Sequence, residues 1–446
     1  MVNSLFDLHS RLIQLSAGIL DSISRANYTP AEGTNVSTKL ILESLLSNQN
    51  FDRNAEITET QLQNSIKDFA LACALLSSSQ VSTHELLSWI PSDLCLLSNS
   101  AFDEFSRAYC TSGFGERNRR RLNELFELDS GLVSEEKRLV VELMPEVLPL
   151  LKESIKESCI DKDLDGDEVS SAAARAPVGF AIVAAYQFRW FVTQVDYPHL
   201  GKMCTLVIPC GLTAMDHWSP EVKGQGMISF IHLAKNVNTT ELSWYEDVIL
   251  DACCQNIASA DEIWSPAIEM SVLVVTYTQR SNPRSQWFER ILNEMLGHLE
   301  RQPRNKDRRI AWLKSVEPLF HATGLLLLAH FRRIFPLFFQ WMHADDDETL
   351  LLVLKRVQTL IRLTWIRNSP YIERLVEELV QVYKEGAFKM DREGIRTNIL
   401  EILVLLQQCN GLQFETSWDK HKDDPNLTNL NTSLRGNTVH DIAAHA

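Results

Sequence analysis

Glycine and proline are scarce, with 17 and 15 among 446 residues. That excludes collagen-like and low-complexity architectures, and runs of alternating Val, Thr and Tyr are too few for a sandwich or barrel of short strands. The glycines present do not build nucleotide loops. Gly113-Phe-Gly115 and Gly224-Gln-Gly226 lack a third glycine and a preceding strand, and Gly-Lys-Ser/Thr does not occur. Nor does a Gly-x-Ser-x-Gly elbow or a His-Glu-x-x-His pair. Cysteine is thinly spread: nine residues, single apart from Cys253-Cys254. An odd, scattered set excludes a closed disulfide framework, and no two short Cys/His hairpins offer zinc spacing. A reducing compartment follows as the expectation: cytoplasm, with the nucleus as a second location. Positive charge is in deficit, the formal net charge being −15, so the field repels phosphate backbones and disfavours sequence-independent nucleic-acid binding. The most apolar stretch, Leu319 to Trp341, is interrupted by His321, His330, Arg332 and Arg333. It reads as a buried helix and not as a membrane span. Residues Met1 to Leu20 lack a basic region ahead of their apolar residues and read as an amphipathic first helix, not a targeting peptide. No catalytic, cofactor-binding or metal-binding constellation emerges, so a non-enzyme without cofactor is expected.

What the chain has is apolar side chains at helical spacing: 45% of its residues are hydrophobic. Trp218-Ser219-Pro220-Glu221-Val222 returns as Trp264-Ser265-Pro266-Ala267-Ile268, 46 residues later, with Val222 matched by Ile268 and Met227 by Leu273. Later helix breaks near Lys306, Asp347 and Asp391 continue the series at intervals of 40, 41 and 44 residues. Helix pairs of the HEAT and armadillo type repeat every 40 to 47 residues or so. The predicted fold is therefore all-α, an α-solenoid of HEAT/armadillo-type helix pairs. The clearest helix carries Ile372, Leu375, Val376, Leu379, Val380 and Tyr383 on one stripe, with Ser369 and Pro370 at its start and Gly386 at its end. The helix before it, with Leu350, Val353, Leu354, Val357, Leu360 and Ile361, has an equally clean stripe. Two such faces need neighbours to cover them.

Four segments are expected. Residues 1–158 form a less regular helical block with helices over Leu5–Ile23, Ser37–Leu46, Gln61–Leu76, Ser82–Trp89, Glu116–Leu128 and Ser134–Glu157. Residues 159–177, acidic and then rich in Ser and Ala, form a linker; 178–411 form the HEAT-like repeat domain; and 412–446, rich in Asn, Asp, Thr and Lys, form a disordered tail. Within the linker, Asp161, Asp163, Asp165 and Gly166 match the first half of a calcium loop, but Glu168 and Ala172 break the second half. A solvated acidic connection is the better reading.

The repeat-turn motif comprises Asp216, Trp218, Ser219, Pro220, Lys223 and Gly226, with Trp264, Ser265 and Pro266 in its second copy. Proline at a helix start is explained by its helical φ and missing N–H, and the serine before it can cap free N–H groups. Arg301, Arg304, Lys306, Arg308 and Arg309 form the one basic cluster, at an inter-helix turn. A solvated turn is the default reading; in an acidic chain the cluster is also the candidate partner-binding site, suited to an acidic segment of a partner or of the linker. Asp345-Asp346-Asp347-Glu348 instead loads the positive end of the next helix. Tryptophans near turns (Trp218, Trp264, Trp287, Trp341) are core residues first, and any exposed one is a candidate interface anchor.

From Tyr197-Pro198 through Pro209, then Asp216-x-x-Ser219-Pro220-x-x-Lys223-x-x-Gly226, the chain resembles the second Tel-two-interacting protein family, the Tti-two subunit of the Tel-Tti-Tti co-chaperone complex. The resemblance covers about residues 188–408. It implies a non-enzymatic scaffold whose partners are the other two subunits and, indirectly, the ninety-kilodalton heat-shock chaperone and phosphoinositide-kinase-related kinase clients. By the same resemblance the contact with the other Tti subunit lies among residues 290–410. No nucleic acid or membrane partner is expected. A transport or regulatory adaptor that binds peptide segments is the rival; it calls for a ladder of exposed Trp and Asn along one groove.

Overall fold

The computed structural model describes residues 2–30, 35–47, 58–82, 84–126, 134–158, 176–258, 261–366, 370–386 and 389–434. No strand occurs among them. The chain is an all-α stack of HEAT/armadillo-type helix pairs and divides into two compact units, Met1–Ala252 and Cys253–Ala446.

The first unit holds α1 (Val2–Arg25), α2 (Thr38–Ser47), α3 (Glu59–Ser78), α4 (Ser92–Cys110), α5 (Gly113–Phe126), α6 (Glu135–Glu157), α7 (Val178–Thr193), α8 (His199–Lys202), α9 (Cys204–Asp216), α10 (Pro220–Asn236) and α11 (Thr239–Leu242), and α12 (Glu246–Ile257) begins in it. Helices α2, α3, α7 and α10 form one row and α1, α4, α6 and α9 another, with α3 on α4, α6 on α7 and α9 on α10 across the rows. Polar side chains tie α7 and the turn after it to α10: Arg189 donates to Gln225 at 2.7 Å, and His232 Nε2 lies 2.8 Å from the carbonyl of Val195. At the crossing of α9 and α10, a Cβ on Gly211 would lie 2.7 Å from the Phe230 ring and one on Gly226 would lie 3.0 Å from Ala214 Cβ. The glycine of the repeat motif is therefore a spacing residue.

Two expectations for this unit change, and one helix is added. Ser82–Trp89 is a turn and not a helix, because side chains take its backbone donors: Ser82 Oγ accepts from His84 N and His84 Nδ1 from Leu86 N. Trp89 is held instead by its indole N–H on Thr38 Oγ1 at 2.7 Å. The long helix α4 was not read from the sequence, since Ser, Asn and Asp interrupt its apolar face. The linker placed at 159–177 does not separate two bodies, because α6 before it and α7 after it pack together inside one unit. Residues 159–175, with the half calcium loop, lie outside the described residues.

The second unit contains α13 (Trp264–Thr278), α14 (Gln286–Arg301), α15 (Lys306–Ser315), α16 (Glu317–Thr323), α17 (Phe331–Met342), α18 (Asp347–Thr364), α19 (Tyr371–Glu385), α20 (Arg392–Cys409) and α21 (Gly411–Trp418). Helices α13, α15, α18 and α20 form one row, and α14, α17, α19 and α21 the other. The breaks expected near Lys306, Asp347 and Asp391 are helix starts, capped by Asn305, Asp346 and Asp391, whose side chains accept from Arg308, Thr349 and Gly394 N–H. Contacts between repeats recur at nearly constant sequence separation. Trp264 Nε1 donates to Arg308 O 44 residues on, Arg309 Nε to Thr349 Oγ1 40 residues on, and Gln358 Nε2 to Glu401 43 residues on. In the second row, Trp341 Nε1 reaches Pro303 O, 38 residues back.

Both expected stripes are buried. They are not chiefly each other's cover, because α18 packs on α15, α17 and α20 while α19 packs on α17, α20 and α21. Pro370, not Ser369, occupies the N-cap of α19, and Ser369 lies outside the described residues. Gly386 closes that helix with an ordinary right-handed φ of −60°. The stretch from Leu319 to Trp341 is not one buried helix: Gly324, at φ 51°, opens a 3-10 segment Gly324–His330 between α16 and α17. The described part of the expected disordered tail is helical. Phe414, Leu427, Leu430 and Leu434 are buried, and Lys384 pairs with Asp424 at 2.5 Å. Residues 435–446 lie outside the described residues.

Candidate protein-interaction surface

The two copies of the repeat-turn motif occupy different environments. In the first, Ser219 is the N-cap and Pro220 the first residue of α10, yet the serine hydroxyl makes no capping bond. His217 supplies the turn instead: its Nδ1 accepts from Ser219 N at 3.0 Å. Burial holds this imidazole neutral, its pKa lowered to about 4. Trp218 stacks on His217, donates to Ser158 O at 3.0 Å and stays 45% exposed. Asp216 ends α9, and Lys223 and Gly226 lie on α10. In the second copy, Trp264-Ser265-Pro266 already lies inside α13, so Ser265 cannot cap it. Trp264 there is 1% exposed.

The basic cluster comes apart for the same reason. Arg308 lies over the Trp264 ring, its guanidinium carbon 4.6 Å from the centroid, and pairs with Asp261. Arg309 pairs with Asp346 at 2.5 Å and with Thr349. Lys306 also approaches Asp346, at 3.9 Å. The pair Arg308 and Arg309 is therefore a clamp between repeats, not a docking site, and only Arg301, Arg304 and Lys306 of the five are exposed. Asp346 and Asp347 do more than the expected end-charge work: Asp347 also accepts from the N–H groups of Met390 and Asp391.

Apolar groups do face water elsewhere. Trp244 is 86% exposed, and Leu325, Leu326, Leu328 and Trp365 are each about half exposed or more. Leu325, Leu326 and Leu328 lie on the 3-10 segment ahead of α17, which packs on α18, and Trp365 is the C-cap residue of α18. Trp365 and Ile366 take left-handed backbone, φ 54° and 30°. Non-glycine residues in that region are strained. Ile366 is fully buried, whereas Trp365 beside it is 55% exposed. The signal available in the sequence was a tryptophan placed directly after an exhausted helical stripe.

Two features invite a chemical reading. A cleft of about 280 Å³ in the first unit is lined by Ser134, Lys137, Tyr197 and His199 among others. Its charges are internally matched, Lys137 pairing with Asp196 at 3.0 Å. The second is Glu142, 7% exposed, its carboxyl pushed up to about 7 by burial despite a hydrogen bond from Tyr109 at 2.9 Å. A perturbed carboxylate can mark a site; the groups that act on this one are Tyr109, which donates to it, and the cations Arg138 and Arg119. Because its folded pKa lies above the ordinary value, the stability it contributes is complete below pH 4.5 and is lost as pH rises through 7. Glu142→Gln is thus expected to stabilise the first unit by up to about 3 kcal/mol at pH 8 and to change little at pH 4, read from paired melting curves. Equal effects at both pH values would show that the carboxylate stays solvated.

No group of three or more His, Cys, Asp or Glu side chains among the described residues is placed to hold a metal. The thiols of Cys73 and Cys253 are pushed up to about 12 by burial, which makes them poor nucleophiles.

Fold and surface together define an all-α protein of HEAT/armadillo-type helix pairs. The chain belongs to the family of the Arabidopsis thaliana protein At2g39910, itself described as uncharacterized, with which it is 57% identical over 435 residues, 97% of this chain and 96% of that one. No protein-family model matches. Among solved structures, importin beta aligns over 96% of this chain and 56% of its own at TM-score 0.47 and 10% identity, and Kap121p over 96% and 47% at 0.46 and 11%. An engineered protein aligns over 89% and 98% at 0.41 and 11%. The chain spans about half the length of the two natural proteins, and similarity at this level carries no argument about partners.

Proposed function

We propose that this protein is a non-enzymatic scaffold for other proteins, and in particular a subunit of a Tel-Tti-Tti-like co-chaperone assembly that supports the maturation and stability of phosphoinositide-kinase-related kinases in the cytoplasm and nucleus. The observation that carries the scaffold reading is the combination of stacked helix pairs with large apolar side chains left in water at their ends, Trp244 and Trp365 foremost. Repeat stacks expose long surfaces, and tryptophan is the side chain most enriched where binding energy concentrates. The narrower assignment rests on the block from Tyr197-Pro198 to Gly226, where Pro220 opens α10 and Gly226 lets α9 approach it. The rival, an adaptor for extended peptides, needs a ladder of exposed tryptophans; Trp264, Trp312 and Trp341 are buried instead.

The test is affinity purification of the tagged chain from its own cells, with mass spectrometry of the proteins that survive a moderate salt wash. Recovery of the other two co-chaperone subunits in near-equal amount is the expected result. Recovery of transport cargo or factors without them would replace the co-chaperone reading by the adaptor.

A further inference from the structure

The chain carries 58 acidic and 43 basic side chains, and several of its arginines are committed to ion pairs between repeats, among them Arg308, Arg309, Arg333 and Arg356. Arg332 and Arg362 are different. Both are exposed, and no described acidic group pairs with either. Arg362 lies on the last turn of α18, three residues before its C-cap Trp365. Arg332 opens α17 just after the 3-10 segment that exposes Leu325, Leu326 and Leu328. The result is a set of exposed apolar side chains with two exposed guanidinium groups close by in the chain that no described acidic group pairs, on a molecule of the opposite net charge.

From this juxtaposition we infer that the Leu325–Leu328 bend and Trp365 form a docking surface for an acidic amphipathic helix of a partner protein. Such a helix lays a leucine stripe on an apolar patch, here Leu326, Leu328 and the indole. Its flanking carboxylates meet Arg332 and Arg362, whose planar forks suit them. An anionic bilayer offers the same chemistry but fits less well. It would hold its charge against a whole face of a chain of net −15, whereas a single helix meets only the charges within a Debye length, about 10 Å at moderate salt. The strained turn adds to the case, because it fixes the indole outward before any partner arrives and leaves less to be ordered on binding. This surface deepens the scaffold reading by naming where a partner sits and what it presents.

The experiment uses the full chain and a fluorescein-labelled synthetic peptide of about 18 residues, five helical turns, with leucines at i, i+3, i+4 and i+7 and glutamates on both shoulders. Fluorescence anisotropy is expected to show saturable binding that weakens with added salt. Trp365→Gly is the decisive variant. Glycine accepts the left-handed backbone without strain, so the melting curve should hold or rise while affinity falls at least roughly tenfold, as for an interface anchor. Leu326→Ser with Leu328→Ser should weaken binding similarly, and Arg332→Glu with Arg362→Glu should weaken it and flatten its salt dependence. The proposal is overturned by a wild-type chain that does not bind, by equal binding of a peptide with lysine in place of glutamate, or by a Trp365→Gly chain that binds normally. Binding of phosphatidylserine vesicles without binding of the peptide overturns it too, in favour of a membrane surface. Co-purification of the partner subunits separates this failure from that of the scaffold: if the subunits still bind while the peptide does not, only the surface is wrong.

Discussion

Reversing charge at Arg308 and Arg309 together is expected to destabilise the second unit by roughly 3–5 kcal/mol, chiefly by breaking the largely buried Arg309–Asp346 pair, since Asp261 opposite Arg308 is more than half exposed. The sequence suggested otherwise, because five basic residues at a turn look like a solvated patch. In the folded chain Arg308 is 6% exposed, with its guanidinium on the Trp264 ring and Asp261 as its counter-ion. A glutamate there would set a second carboxylate against Asp261 and lose the cation–π contact. At Arg309 it would face Asp346, which already accepts from Thr349 N at the start of α18. Both changes act on the same joint between α13, α15 and α18, so their effects need not add. Urea unfolding followed by tryptophan fluorescence measures the loss. An unchanged midpoint would return the cluster to the role of a free basic patch.

Trp312→Ala is expected to cost about 3–5 kcal/mol through the cavity it leaves. Trp312 is fully buried on α15, edge-on to Phe320 and Trp341 at centroid distances of 5.8 and 5.9 Å and tilted against Phe338 at 6.1 Å. Its ring thus ties α15 in one row to α17 in the other. Trp312→Phe should be far milder, within about 1.5 kcal/mol, as for a conservative core exchange. The reason is that the indole N–H has no hydrogen-bond partner in the structure, so phenylalanine gives up volume but also removes an unsatisfied donor. Thermal unfolding of the two variants side by side decides the matter. If Phe proves as damaging as Ala, the N–H is bonded and the site is polar.

These two predictions show where reading the sequence works and where it stops. Helix starts at Lys306 and Asp347, and the N-cap at Asp391, were legible because Asn, Asp and the apolar period mark them locally. The stripes of α18 and α19 were legible for the same reason. The partners of those stripes were not, since a stripe states that a face is covered and not by which helix. The 46-residue return of Trp-Ser-Pro was legible as a repeat. Its two tryptophans differ in exposure: Arg308, 44 residues beyond Trp264, closes over one of them, while the other, stacked on His217, stays 45% exposed. The turn at Ser82–Trp89 misled because its Leu and Trp spacing suits a helix, while Ser82 and His84 compete for the backbone.

The sequence by itself determined the class of structure: all-α, built from repeated helix pairs of about forty residues, because hydrophobic period and capping chemistry act within a few residues of where they are written. Tertiary structure alone decided which charged and aromatic groups remain outside. Arg308 and Trp264 satisfy each other and vanish into a joint, whereas Arg362 and Trp365 stay exposed. Composition cannot distinguish those cases, since burial and ion pairing are settled by residues some forty positions away that only the stacking of repeats brings together.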